Sequence, residues 1–128
     1  MDKGLYRVID ANLNRLKEGI RVIEDMARYS DNNKDIASRL KTLRHLAKTE
    51  GIQALLSSRD AQNDVLKMTR ESEMERSSIE SIIIANYKRA QESSRVLEEV
   101  YKVVEPELSE RFKKIRYELY TLEKDNLT

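Results

Sequence analysis

The feature that most constrains this chain is that it says one thing twice. The stretch Asp10-Ala11-Asn12-Leu13-Asn14-Arg15-Leu16-Lys17-Glu18-Gly19-Ile20-Arg21-Val22-Ile23-Glu24-Asp25 returns as Ala85-Asn86-Tyr87-Lys88-Arg89-Ala90-Gln91-Glu92-Ser93-Ser94-Arg95-Val96-Leu97-Glu98-Glu99. Asn, Arg, Glu, Arg, Val and Glu recur in the same order at an offset of 86 − 12 = 74 residues. A second match, Arg39-Leu40-Lys41-Thr42-Leu43-Arg44-His45 against Arg111-Phe112-Lys113-Lys114-Ile115-Arg116-Tyr117, has an offset of 111 − 39 = 72, so one inter-helix loop is two residues shorter. The chain is an internal duplication of a helical hairpin.

Projected on a helix at about 100° per residue, the first copy spreads Val8, Met26, Ile23, Leu16, Ile9, Ile20 and Leu13 to either side of Asn12. Arg15 falls about 60° to one side, within the arc. Gly19 lies nearly under Asn12, and Ser93 takes the glycine's place in the second copy. Each long helix is therefore expected to aim an Asn and an Arg inwards beside a residue too small to fill the space. A buried guanidinium without a partner costs several kcal/mol. Either Arg15 pairs with Glu92 and Arg89 with Glu18 across a pseudo-twofold axis, or the Asn/Arg pairs line a polar cavity that receives an anion, for which Arg forks suit phosphate geometry. The two readings can coexist.

Periodicity sets the rest of the architecture. Helix one is expected from about Lys3 to Tyr29, with Ser30-Asp31-Asn32-Asn33 capping helix two. Ile36, Leu40, Leu43 and Ala47 give helix two its stripe; Gly51 ends or kinks it, and Ile52, Leu55 and Leu56 add a last turn. Helix three runs from near Ser78 to Val104, where Glu105-Pro106 stops it. Helix four carries Leu108, Phe112, Ile115, Leu119 and Leu122 and frays from Asp125. Short hairpin loops and 3/4 spacings then predict an all-α, four-helix-bundle-like fold with internal pseudo-twofold symmetry. Repeat one spans about 3–56, an irregular linker about 57–77 and repeat two about 78–125.

Composition narrows the function classes. With 24 basic and 23 acidic side chains in 128 residues the net charge is +1, which gives no long-range pull towards nucleic acid or membrane. The absence of Cys excludes disulfide and thiolate chemistry and fits a cytoplasmic protein. No apolar run reaches the roughly 18 residues of a membrane span, and Met1-Asp2-Lys3 begins no signal peptide. Glycine only at 4, 19 and 51 excludes a Walker-type phosphate loop, so a bound phosphate would be held by Arg and Lys side chains or helix N-termini. His45, the single histidine, projects opposite the stripe of helix two and reads as a surface residue. Arg39, Arg44, Arg111 and Arg116 flank the stripes, their stems covering the core. Asp10, Glu18, Asp25, Glu92 and Glu99 read as solvated or ion-paired. Arg59-Asp60-Ala61-Gln62-Asn63-Asp64-Val65 is the densest polar cluster of the linker, either a solvated connection or a functional lid.

The Asn12 and Asn86 motifs, Tyr6-Arg7-Val8-Ile9 before the first of them, Leu40 to His45, and Arg59-Asp60 followed by Asp64-Val65 together resemble a known family. It is the helical domain found fused in front of thiamine-phosphate synthase in some bacteria and also found alone, described as an alternative hydroxymethylpyrimidine-phosphate kinase of thiamine biosynthesis. Leu66 stands where that family commonly has Gly. The resemblance implies a kinase, not a synthase, that uses ATP and Mg²⁺ to turn the pyrimidine monophosphate into the diphosphate. For such a reaction the residues themselves suggest the roles: Arg15 and Arg89 are the expected catalytic groups that grip phosphates between the long helices, and Arg59 the one that closes over the site from the linker. Asn12, Asn86, Glu18, Glu92 and Arg44 are the expected substrate contacts, and Asp60 and Asp64 the expected magnesium ligands. A non-catalytic module that binds a phosphorylated pyrimidine or docks onto a separate synthase is the alternative, and a homodimer is compatible with either.

Overall fold

The computed structural model describes residues 2–68 and 76–128; residues 69–75 of the expected linker lie outside the described part. Among the described residues five α-helices follow one another: α1 (Lys3–Asp25), α2 (Lys34–Leu46), α3 (Ile52–Ser58), α4 (Ile79–Val104) and α5 (Pro106–Leu127). Among the described residues there is no strand, and no helix is long and apolar enough to cross a membrane. The all-α bundle expected from the periodicity is therefore observed.

Each end of a helix has a local cause. Asp2 caps α1 by accepting from the Gly4 amide, and Asn33 caps α2 by accepting from the Ile36 amide at 3.1 Å. Ser78 and Ser81 form a reciprocal capping box on α4. Pro106 opens α5 at its first turn, where its missing N–H costs nothing.

Three boundaries depart from expectation. The last helix does not fray from Asp125 but stays helical to Leu127, where Asn126 donates to the Tyr87 hydroxyl. Helix one does not stay α-helical to Tyr29: Met26–Ser30 winds as a wider π-helical turn, closed by Asp31 N–H on Met26 O at 3.0 Å and Asn33 N–H on Ala27 O at 2.8 Å. Repeat two runs straight through the matching positions, so this turn belongs to the copy with the two extra residues. The residues after Gly51 form a separate helix rather than a last turn of α2. Gly51 sits at φ 79°, a left-handed conformation that glycine adopts without strain, and the chain turns there so that α3 packs on α1.

In the bundle α1 packs against α2 and α4, and α5 against α4 and α2, which closes a ring of four. Leu16, Ile20, Ile23, Leu40, Leu97, Ile115, Leu119 and Leu122 have no exposed surface, each such burial stabilising by about 1.5–3 kcal/mol. The halves keep matching polar contacts as well. Glu24 holds Arg44 at 2.7 Å, and at offsets of 74 and 72 residues Glu98 holds Arg116 at 2.9 Å. All four side chains sit at the seam between the helices of one hairpin and are largely shielded from water.

Candidate functional site

The contact between α1 and α4 begins with a glycine. A Cβ at Gly19 would lie 3.3 Å from the Asn86 carbonyl oxygen and 3.5 Å from the Ala90 nitrogen, so the helix backbones approach too closely for a side chain there. Gly19 thus faces Asn86 and Ala90, while Asn12 shares a groove with Ser93. Positions that rise along one helix fall along the other, so α1 and α4 run antiparallel. Arg15 and Arg89, equivalent in the two repeats, lie beside the axis that relates them.

Both arginines are exposed. They line the mouth of an open groove of about 410 Å³ with Asn12, Glu92, Ser93 and Val96. The expectation that they turn into the interior is corrected by the geometry of the stripe. The buried residues Ile9, Leu13, Leu16, Ile20 and Ile23 centre about 60° away from Asn12, which places Asn12 at the edge and Arg15 about 120° from the centre. The carboxylate closure is not found either. Among the described residues neither Arg15 nor Arg89 lies within ion-pair distance of Glu92, Glu18 or another carboxylate. The interior is closed instead by the Glu24–Arg44 and Glu98–Arg116 pairs.

The two asparagines behave alike. Asn12 Nδ2 donates to Val8 O at 2.8 Å and Asn86 Nδ2 to Ile82 O at 2.9 Å. Each amide therefore fixes its rotamer on its own helix. Ser93 Oγ donates to Arg89 O at 2.8 Å.

Beyond Asn12 and Arg15 the groove meets a second hollow of about 370 Å³, whose far wall is the loop bearing Arg59, Asp60 and Asp64. Arg59 anchors this loop. Its Nε and an Nη donate to the two oxygens of Asp10 at 2.7 and 2.8 Å, a bidentate pair on a side chain that is 10% exposed. The Asp10 hydrogen bonds, followed by its charge and that of nearby Glu18, raise the already high Arg59 pKa. Asp60 accepts from the Asn63 side-chain amide at 2.9 and 3.0 Å and from the Asn63 backbone N–H at 3.2 Å. Those bonds, with Arg7 and Lys3 adding charge, hold the Asp60 carboxyl below its ordinary range. Asp64 accepts from the Leu66 amide at 2.9 Å, and Arg7 donates to the Asp60 carbonyl at 3.4 Å.

Of the residues singled out in the sequence, the structure brings Asn12, Arg15, Arg89, Glu92, Arg59, Asp60 and Asp64 around two joined hollows. Glu18 stands outside the lining, within electrostatic reach of Arg59. Asn86 packs against Gly19 beneath the groove. Arg44 is held elsewhere by Glu24, with 2.7 and 3.3 Å bonds. His45 is exposed. Sequence reasoning missed the anchoring role of Asp10, which only the fold brings to Arg59 across 49 residues. Among the described residues no three His, Cys, Asp or Glu side chains cluster as a metal cage. Asp60 and Asp64 fit the sparser pattern of Mg²⁺, which commonly takes one or two carboxylates and completes its shell with water and substrate phosphates.

Both hollows are lined largely by polar and charged side chains, and comparison with known proteins places the chain in a family. The chain is 40% identical over 120 residues to a protein from Nostoc punctiforme named thiamine-phosphate synthase, covering 93% of this chain and 34% of that one. It is 37% identical over 128 residues to the thiamine-phosphate synthase of Prochlorococcus marinus strain AS9601, covering 99% and 36%. A third, from a Synechocystis species, is 36% identical over 93% of this chain and 35% of its own. The chain spans about a third of the length of these relatives. No solved structure matches it. The ThiD2 family matches from residue 7 to residue 125, a span that takes in both repeats, the groove between them and the loop anchored on Asp10, and the chain belongs to that family.

Proposed function

We propose that this chain is a phosphotransferase of thiamine biosynthesis that moves the γ-phosphoryl group of ATP onto hydroxymethylpyrimidine monophosphate. The observation that carries this reading is the pair of guanidiniums, Arg15 and Arg89, that line one open groove without carboxylate partners among the described residues. Two like charges held together in this way favour an anion between them, and the Arg fork matches phosphate oxygens.

The chemistry asks little else of the protein. An oxygen of the pyrimidine monophosphate, largely ionised at neutral pH because its second pKa is about 6, attacks the γ-phosphorus. The bond from that phosphorus to the β,γ-bridging oxygen breaks, and ADP leaves with the electron pair. No base is needed, which suits a groove whose lining holds no histidine. Arg15 and Arg89 would grip the phosphates in line, Asn12 would orient acceptor oxygens, and Arg59 would hold the loop wall over the site. Asp60 and Asp64 would hold Mg²⁺, which neutralises charge between the β- and γ-phosphates when bound. The names of the relatives support the pathway; the residue roles rest on the geometry alone.

The test is to incubate the chain with ATP, Mg²⁺ and the pyrimidine monophosphate and measure ADP and the diphosphate in equal amounts. Arg15→Ala and Arg89→Ala should each lower turnover about 100-fold or more with unchanged helical content. Near-wild-type turnover in both refutes the assignment. The second reading, a non-catalytic phosphopyrimidine-binding module, is favoured by Asp60, whose carboxylate already accepts three bonds from Asn63. It predicts a ligand-induced rise in melting temperature with no ADP formed.

A further inference from the structure

One asymmetry between the repeats lies away from the groove. A hollow of about 320 Å³, at the lower end of the usual range for ligand sites, opens between the π-helical turn and α2 and is lined by Glu24, Arg28, Asn32, Lys34, Ser38 and Lys41. Its one lining carboxylate, Glu24, is already neutralised by Arg44 at 2.7 Å. Of the neighbouring acids, Asp25 pairs with Arg21 at 3.6 Å and Asp35 with Arg39 at 3.3 Å, which leaves Asp31 on the turn. Arg28, Lys34 and Lys41 against Asp31 thus give an excess of about two positive charges around one cavity.

Repeat two shows what this corner looks like without such a task. The counterparts of Arg28, Lys34, Ser38 and Lys41 are Lys102, Pro106, Glu110 and Lys113. Lys102 is paired with Glu99 at 2.9 Å, a proline replaces one cation, and a carboxylate replaces the serine. The concentration of charge is therefore not a by-product of the duplicated scaffold. It accompanies the two extra residues, the π-helical turn and Asn32 at φ 50°. Wider turns of this kind occur often at functional sites.

We propose that this hollow is a second anion site that takes a diphosphate group, with Arg28, Lys34 and Lys41 as its cationic ligands and Ser38 and Asn32 as hydrogen-bonding partners. Glu24 stands nine residues from Arg15 along α1, about 13 Å, so the site is separate from the Arg15/Arg89 groove. It does not depend on the phosphoryl-transfer reading.

Residue-resolved NMR of the full chain tests it, with inorganic pyrophosphate and ADP titrated separately. Pyrophosphate should shift amides between residues 28 and 41. Lys34→Gln/Lys41→Gln should weaken that response at least tenfold and leave any response at residues 12–19 and 86–93 in place. Arg15→Ala/Arg89→Ala should do the reverse. Tighter binding of ADP than of pyrophosphate at residues 28–41 would make the ligand a nucleotide; the opposite order would make it a free diphosphate. No shift at residues 28–41 at millimolar pyrophosphate, a shift that survives the double lysine variant, or one lost in the double arginine variant overturns the proposal.

Discussion

The Glu24–Arg44 pair decides whether Arg44 serves the fold or a substrate, and its replacement by methionine has a calculable effect. The Glu24 side chain is 4% exposed and that of Arg44 21%. Arg44→Met would keep most of the apolar stem while stranding a buried carboxylate. Removing one member of a buried pair costs about 3–5 kcal/mol; because water reaches a fifth of Arg44, the lower end, about 3 kcal/mol, applies. For a domain of this size about 3–4 °C accompanies each kcal/mol, so the melting temperature should fall by about 10 °C. Arg116→Met in the matching seam of repeat two should cost less, because Arg95 still stands 3.7 Å from the Glu98 carboxylate. Glu24→Leu combined with Arg44→Met should recover most of the loss, since replacing both partners of such a pair by apolar groups is often neutral. Thermal melts and denaturant titrations give these values, and a double-mutant cycle isolates the coupling. A loss under 0.5 kcal/mol in Arg44→Met, accompanied by loss of phosphate binding, would refute the structural role and restore Arg44 as a substrate contact.

Three further outcomes follow from particular contacts. Gly19→Val should separate α1 from α4 and cost about 2 kcal/mol in chemical denaturation, because its Cβ would press on the Asn86 carbonyl at 3.3 Å; an unchanged midpoint would show that the backbones are not in contact there. Burial pushes the Tyr87 phenol up to about 12, against a smaller opposing effect of the hydrogen bond from Asn126. The folded state thus holds this proton more tightly than the unfolded chain. Its stabilising effect is complete below pH about 10 and is lost as pH rises through about 12, which phenolate absorbance and alkaline melts would follow in wild type and Tyr87→Phe. Asp10→Asn should release Arg59 and speed amide exchange across residues 59–66 with α1 unchanged; equal exchange in both proteins would show that the loop is held by something else.

The fold was legible because duplication states each helix twice, and because the stripes of α2 and α5 have unambiguous 3/4 spacing. That Asn12, Arg15, Arg89 and Glu92 share one groove followed from the repeat, but how deep each lies did not. An apolar arc drawn around Asn12 included Val8 and Met26, yet Val8 is exposed and Met26 half-buried, so the true stripe sits about 60° further round. From that centre Arg15 falls outside the arc, and Glu24 falls at its edge where Asp25 does not. The ion pairs of Glu24 and Glu98 were thus present in the pattern once its centre was right. The Arg59–Asp10 anchor and the independent helix after Gly51 carry no such local signal, since both depend on where a loop returns in space.

The axis itself carries a last consequence. When an antiparallel helix pair arises by duplication, a residue beside the axis lies next to its own copy, and a cation there repels its twin. At other positions the repeats have drifted: Leu13 against Tyr87, Gly19 against Ser93, Lys34 against Pro106. Arg15 and Arg89 remain the same residue, although a neutral side chain in either copy would remove the repulsion, and the groove supplies one carboxylate, Glu92, for two guanidiniums. A single anion beside the axis satisfies both arginines, whereas two independent sites would place two anions in mutual contact. Calorimetric titration with a phosphate-bearing ligand, in a Lys34→Gln/Lys41→Gln background that silences the corner site, should therefore give one ligand per chain. Arg15→Ala and Arg89→Ala should weaken it by similar factors, about 10-fold or more for each charge-assisted bond lost. Two ligands per chain, or a loss confined to one of the two variants, would show that the arginines do not act on one ligand.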